Sequence, residues 1–161
     1  MTMRALLALG ILGSACGGGG GGGPIAPPSS VTGTYAVEHT FLLAGLPITE
    51  EPCTGTLEIA EQTGNTFSGT VTLDPVGECT GIGGEGQISG TLGGSQVSLT
   101  ISGIDDPLAA LQCAITGGDS AHTGTISSTT ISVSRQIEGS CTIGGDTIVA
   151  QVVWKIEGTK T

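Results

Sequence analysis

Apolar and polar residues alternate with a period of two along most of the chain from Gly33 to the C-terminus. This period predicts half-buried β-strands, and no segment shows the i, i+3, i+4 stripe that is typical of an amphipathic helix. One short segment, residues 106–112, favours a single helical turn, with Asp105 or Asp106 as its cap and Pro107 at its first position. The clearest alternating runs are 34–41, 56–59, 66–73, 87–92, 96–102, 131–133 and 148–157.

Turn residues separate these runs at short intervals, which predicts an antiparallel arrangement. Residues 63–65 and the Gly93-Gly94 pair both indicate hairpins. We therefore expect an all-β domain over 33–161, an antiparallel up-and-down β-barrel of about eight or nine strands, with a β-sandwich as the alternative. Glycines on the apolar face favour the barrel because they permit close approach of strands. They are Gly55, Gly69, Gly90 and Gly124.

The first and last runs are predicted to pair and close the barrel. Trp154 shares one face of the last run with three aliphatic residues, whereas Lys155 lies on the other face. We expect the two apolar faces to meet in the core, with His39 among them. The residues concerned are Tyr35, Val37 and Phe41 in the first run, and Ile148, Val152 and Ile156 beside Trp154 in the last.

The N-terminal residues 1–15 are typical of a secretory signal peptide: Arg4 precedes a short apolar run, which ends in small residues. The sequence Leu12-Gly13-Ser14-Ala15-Cys16 resembles the lipobox of bacterial lipoproteins, although Gly13 stands where an aliphatic residue is usual. The resemblance implies that Cys16 is lipidated and that the protein is anchored to the cell envelope, on the outer membrane if the cell has one. Residues 16–32 then form a glycine- and proline-rich linker.

The composition excludes some functions. Four Lys and Arg against 14 Asp and Glu give a net charge of −10. Nucleic-acid binding needs a basic surface, so we expect no nucleic-acid partner.

Four cysteines remain after Cys16, and an even number in an exported chain predicts two disulfides in an oxidising compartment. Two segments resemble each other around the second cysteine of each pair, Gly77–Glu85 and Gly139–Asp146. The similar spacings favour the pairs Cys53–Cys79 and Cys113–Cys141. A duplication and a chance similarity explain the resemblance equally well.

Candidate chemistry is sparse, and we expect no metal, no cofactor and no catalytic site. Zinc is not favoured because no C-x₂-C pair exists and His39 and His122 lie in unrelated runs. The string Gly118-Asp119-Ser120 before His122 predicts a polar hairpin loop. The acidic residues show no calcium-loop spacing. They are Glu50, Glu51, Glu85, Asp105, Asp106 and Asp146.

We therefore expect a lipid-anchored, non-catalytic binding or structural protein, whose partners are membrane lipid and another envelope protein. The alternative is a barrel that holds a small apolar ligand. In architecture alone, the Gly-Thr-Tyr opening at 33–35 and the Trp-bearing last strand resemble lipocalins and avidins. That resemblance implies a ligand site near Tyr35, His39 and Trp154.

Overall fold

The computed structural model describes residues 30–43, 46–47, 51–104, 108, 113–143 and 145–161. It is an all-β structure, as the alternation predicts, with one 3₁₀ turn at Gly77–Cys79. Within these ranges, no helix has the length and apolarity needed to cross a bilayer. The strands are β1 (Gly33–Leu43), β2 (Leu46–Pro47), β3 (Cys53–Thr63), β4 (Thr66–Leu73), β5 (Gly84–Gly93), β6 (Gln96–Ser102), β7 (Cys113–Gly118), β8 (His122–Ile126), β9 (Thr130–Ile143) and β10 (Asp146–Lys160).

Eight of these strands form a closed antiparallel barrel in the order β1-β3-β4-β5-β6-β8-β9-β10. The barrel closes where β10 returns to β1, with Tyr35 opposite Lys160 and Phe41 opposite Trp154. The predicted pairing of the first and last runs is thus confirmed, and the barrel replaces the β-sandwich alternative. Closure removes the unpaired edges that an open sheet would expose.

Strand β7 is an extra strand. It pairs with β9, as β8 does, but with a different stretch of that strand, so that β7 and β8 lie one after the other along β9. Gly118 pairs with Ile137 and Thr123 pairs with Ser134. Four residues, 119–122, therefore face only Arg135 and Gln136 on β9. The regular ladder is interrupted here, but Asp119 stays bound to β9: its N–H donates to the Gln136 carbonyl (2.7 Å) and its carboxylate accepts from the Gln136 N–H (3.1 Å).

Glycines on the inner face let neighbouring strands approach closely, as predicted. A Cβ atom at Gly55 would overlap the Thr72 carbonyl, and one at Gly69 would overlap the Glu58 carbonyl. Side chains at such positions would force the strands apart, so these glycines are required by the tight coiling of the sheet.

The two ends of the barrel differ. The linker end, where residue 30 enters, carries the C-terminus and three short turns, Gly64-Asn65, Gly94-Ser95 and Ser127–Thr129. The opposite end, here called the loop end, carries the longer connections 44–52, 74–83 and 103–112 together with the β9–β10 hairpin. Tyr35 closes the core at the linker end, where its hydroxyl shares its one proton between the carbonyls of Val31 (2.8 Å) and Ser127 (3.1 Å).

Both predicted disulfides, Cys53–Cys79 and Cys113–Cys141, are present, and both lie at the loop end. The two similar segments around them do not share a conformation. Cys79 ends the 3₁₀ turn, whereas Cys141 lies within β9 and is directly opposite Cys113 on β7. The spacing thus predicted the pairing correctly, although the two segments are not equivalent structural units.

Replacing Cys113 and Cys141 together by Ser is expected to lower the free energy of unfolding by about 3–4 kcal/mol. The disulfide spans 28 residues, and cross-linking a loop of that size reduces the entropy of the unfolded chain by about this amount. Urea denaturation of the two proteins measures the difference. Equal midpoints with equal slopes would contradict the prediction.

One prediction for the last strand needs correction, and three others concern residues that are largely outside the described ranges. Ile148 lies on the inner face of β10 but is 45% exposed, because the β9–β10 hairpin extends beyond the rim of the barrel. Cys16, most of the predicted turn 106–112 and the signal peptide 1–15 lie outside the described residues. Leu108 is described, and it is fully buried.

Candidate functional site

His39 and Trp154 meet in the barrel interior. Both follow from the alternation, which places them on the inward faces of β1 and β10, and each is at most 1% exposed. The indole Nε1–H of Trp154 donates to His39 Nδ1 at 3.1 Å. Since Nδ1 accepts a hydrogen bond, the proton of the neutral imidazole is assigned to Nε2. That nitrogen lies close to the Thr72 carbonyl but has no partner in good hydrogen-bond geometry.

His122 lies on the other side of the same indole. Its ring meets Trp154 edge-on, with the centroids 4.8 Å apart, and it is fully buried. Neither ring nitrogen of His122 has a hydrogen-bond partner in good geometry. The prediction of a polar hairpin loop was therefore wrong for this residue, which begins β8 as an inward-facing side chain.

Arg135 completes this inner cluster, which comprises His39, His122, Arg135 and Trp154. It is directly opposite Trp154 in the β9–β10 ladder. Its guanidinium carbon lies 5.1 Å from the centroid of the indole, which is within the range of a cation–π contact. Arg135 is partly exposed and lies where the pairing of β9 passes from β7 to β8.

Burial decides the protonation of the two histidines in the inner cluster. Burial lowers the pKa of His39 to about 4. The pKa of His122 is lowered to about 3, chiefly by burial and further by the charges of Arg135 and His39. Both imidazoles are therefore neutral at pH 7, whereas Arg135 is charged.

The structure brings together only part of the ligand site that the sequence predicted. His39 and Trp154 are in direct contact, but Tyr35 lies further toward the linker end, four residues from His39 on β1. Sequence reasoning missed His122 and Arg135. The inward position of Arg135 could have been predicted, because Arg135 lies in phase with the inward-facing Ile131 and Val133 of its strand.

A second feature is an apolar and acidic surface at the loop end. All five exposed large hydrophobic side chains of the described residues lie there, and Val149 is 76% exposed. They are Leu43, Val76, Ile115, Ile148 and Val149. Exposed acidic residues lie at the same end, namely Glu51, Asp74, Glu85 and Asp146.

Beside the Cys53–Cys79 disulfide, this surface has a depression of 420 Å³. Val76 and Pro52 give it apolar walls, and Glu51 adds a carboxylate. Such a lining suits a side chain with an aliphatic stem and a positive end.

The acidic residues do not form a metal site within the described ranges, where no cluster of three or more His, Cys, Asp or Glu side chains is found. His39 and His122 lie in unrelated runs of the sequence, but the fold brings both rings into contact with Trp154. No protein family, curated protein or solved structure significantly matches this chain.

Proposed function

We propose that this protein is a non-catalytic lipoprotein of the cell envelope, anchored through Cys16, and that its loop end binds a partner protein. The observation that carries the proposal is the location of the exposed apolar side chains of the described residues. All five lie at the end of the barrel opposite the linker. Exposed apolar groups that cluster at one end of a domain are typical of interaction sites.

The proposed partner carries basic and apolar side chains. Three of the four Lys and Arg residues of the chain lie in the part that the structure describes, namely Arg135, Lys155 and Lys160, and none of these three belongs to the loop-end surface. That surface has at least four exposed carboxylates, so it attracts positive charge. A Lys or Arg of the partner fits the depression at Glu51, with its stem against Val76.

The linker suits this orientation. It joins the barrel at Val31, which is buried, and the Lys160 ammonium donates to the Thr32 carbonyl, so the last linker residues are fastened to the linker end. A glycine-rich chain of about 16 residues has a root-mean-square reach of roughly 20–25 Å. An anchor at Cys16 therefore leaves the loop end facing away from the membrane.

The Cys16→Ser substitution is expected to move the protein from the membrane fraction to the soluble exported fraction, because the acylated thiol is lost. Intact mass spectrometry of the wild-type protein should show the added diacylglyceryl group. A wild-type protein that is soluble and unmodified would contradict the anchor.

Site-specific photo-crosslinking in intact cells tests the loop-end surface. A photoreactive residue at Val149 or Val76 is expected to give a discrete adduct, which the Glu51→Lys substitution weakens. The matched control is Asn65, exposed in a turn at the linker end, where no such adduct should form. An adduct that is equally strong from Asn65, or insensitive to the charge reversal at Glu51, would rule out the proposed surface.

The second candidate, a barrel for a small apolar ligand, is favoured only by the contact of His39 with Trp154. Against it, the interior is filled by Ile, Val, Leu and aromatic side chains that are 0–5% exposed. Native mass spectrometry of the purified protein distinguishes the two, since a retained apolar ligand would add a fixed mass.

A further inference from the structure

Strand β7 has an open edge at the loop end. It pairs with β9 alone, whereas each of the other described strands, apart from the two-residue β2, has at least two neighbours. Residues 114–118 are all exposed, so solvent reaches this edge along its length. The backbone N–H and C=O groups of an open edge are available to a further strand.

The spacing of β7 and β9 shows which backbone groups lie on the open edge. Cys113 is directly opposite Cys141, and their Cα atoms are 4.2 Å apart. In an antiparallel ladder this short spacing is typical of a pair without mutual hydrogen bonds, at about 4.5 Å, because hydrogen-bonded pairs are about 5.5 Å apart. The two kinds of pair alternate, so Ala114 bonds to β9, whereas the N–H and C=O of Ile115 are directed away from it.

The sequence of β7 does not protect this edge. Charged side chains and proline commonly block strand edges, and the residues of β7, CAITGG, include neither. Ile115 also places an apolar side chain there that is 55% exposed. An added strand would cover part of that side chain, and the burial of apolar surface favours such pairing.

A carboxylate next to the open edge indicates the charge of the added strand. Gly117 is opposite Glu138, and a Cβ atom at Gly117 would lie 3.3 Å from the Glu138 carboxylate. Glu138 accepts a hydrogen bond from the Gln151 side-chain amide (3.0 Å), but within the described ranges it has no ion-pair partner. An added strand would lie about 4.8 Å beyond β7. Because Gly117 has no side chain, a Lys or Arg of that strand can extend across it to Glu138.

We propose that β7 binds an extended segment of the partner protein by strand addition. The segment pairs with the free backbone groups of Ile115, covers the Ile115 side chain with an apolar residue and places a Lys or Arg across Gly117 toward Glu138. This inference rests on the proposed function, since it specifies how the loop end holds a partner. A second copy of the chain is a poorer occupant, because β7 has no basic residue and its self-pairing would bring two Glu138 carboxylates together.

Hydrogen exchange of the full-length protein, followed by NMR, tests strand addition without any substitution. The probe is the blocked peptide Thr-Val-Lys-Val-Lys-Val-Thr, and its control is the same peptide with the central amides N-methylated. At saturation with the probe, the Ile115 amide should exchange at least tenfold more slowly, whereas the Ala114 amide, already bonded to β9, should change little. No saturable binding, equal binding of the methylated peptide, or an unprotected Ile115 amide would overturn the proposal.

Substitutions separate the backbone from the side chains. Ile115→Pro removes the free N–H and should raise the half-saturating peptide concentration at least tenfold, whereas Ile115→Val keeps that N–H and should bind as the wild type does. Glu138→Gln should weaken binding severalfold, and Glu58→Gln, which changes an exposed carboxylate on the outer wall of β3, should not. A folded Ile115→Pro variant with unchanged binding, or equal effects of the two glutamate substitutions, would refute the site.

Photo-crosslinking in cells separates this inference from the proposed function. The adduct from Val149 should be lost with Ile115→Pro and retained with Ile115→Val. An adduct that persists with Ile115→Pro would refute strand addition while leaving the loop-end surface in place, whereas the absence of any adduct from Val149 or Val76 would remove both. An adduct with twice the mass of the chain would identify a second copy as the occupant and overturn the proposed partner segment.

Discussion

The Trp154→Ala substitution is expected to lower the free energy of unfolding by about 3–5 kcal/mol, as is typical for removing a large buried aromatic side chain. Trp154 is the largest fully buried side chain, and it contacts Phe41 with ring centroids 5.5 Å apart. Its loss also removes the hydrogen-bond donor of His39 Nδ1, leaving a second buried nitrogen of that ring unsatisfied. Urea denaturation followed by far-UV circular dichroism measures the effect without needing the indole as a probe.

Lys155→Ala is the matched control, one residue further along β10. The Lys155 side chain is 41% exposed and makes a surface ion pair with Glu157 at 2.8 Å. Such pairs contribute little, so we expect a change within about 0.5 kcal/mol. Comparable losses for both variants, or a neutral Trp154→Ala, would contradict the register of β10, because a shift by one residue exchanges the two faces.

Acidification should destabilise the folded protein as soon as the pH falls below about 6.5. This is well above the pKa values of the two buried histidines in the folded state. Burial lowers the pKa of His39 to about 4 and that of His122 to about 3, whereas a histidine of the unfolded chain has a pKa near 6.5. The unfolded state therefore binds two protons that the folded state does not. The stabilisation is complete above pH 6.5 and is lost progressively as the pH falls toward 4 and then 3.

The expected loss is on the order of 3 kcal/mol or more for each histidine, since one pKa unit corresponds to about 1.36 kcal/mol. The two together are comparable with the whole stability of an ordinary domain, roughly 5–15 kcal/mol. Urea midpoints measured from pH 7.5 to pH 4 should fall steeply below 6.5.

The doubly substituted protein His39→Asn/His122→Leu tests this cause. The asparagine side chain offers an oxygen to the Trp154 N–H, and neither new residue titrates. The pH dependence between 6.5 and 4 should then be much flatter than in the wild type. A slope that is unchanged in the variant, or histidine NMR titrations centred near 6.5 in the folded wild type, would contradict the prediction.

Much of the fold was predictable because period-two alternation fixes which side chains face inward. The alternation alone placed Phe41 and Trp154 in the same core. In the structure they lie directly opposite each other in the β1–β10 ladder. The inner glycines added the curvature, which distinguishes a closed barrel from two flat sheets. The Cys113–Cys141 link was predictable from spacing, although spacing did not reveal that Cys141 would lie inside a strand.

The inner cluster was harder to predict because polarity conflicts with burial. His122 follows Gly-Asp-Ser-Ala, a composition typical of a loop, and nothing local indicates that the break at 119–121 returns the chain to the barrel. Arg135 has the phase of an inward residue but the charge of an outward one. Its place over the indole depends on Trp154, which lies 19 positions further along the chain but directly opposite it in the ladder.

The seam between β1 and β10 imposes an order on folding. The barrel cannot close until the final strand is available, since residues 35–43 pair with residues 152–160. Contacts between chain ends are slow to form because a long loop must be closed first. The Cys53–Cys79 disulfide spans only 26 residues and can form earlier. The core of a chain still emerging from the ribosome thus stays incomplete until its last residues arrive.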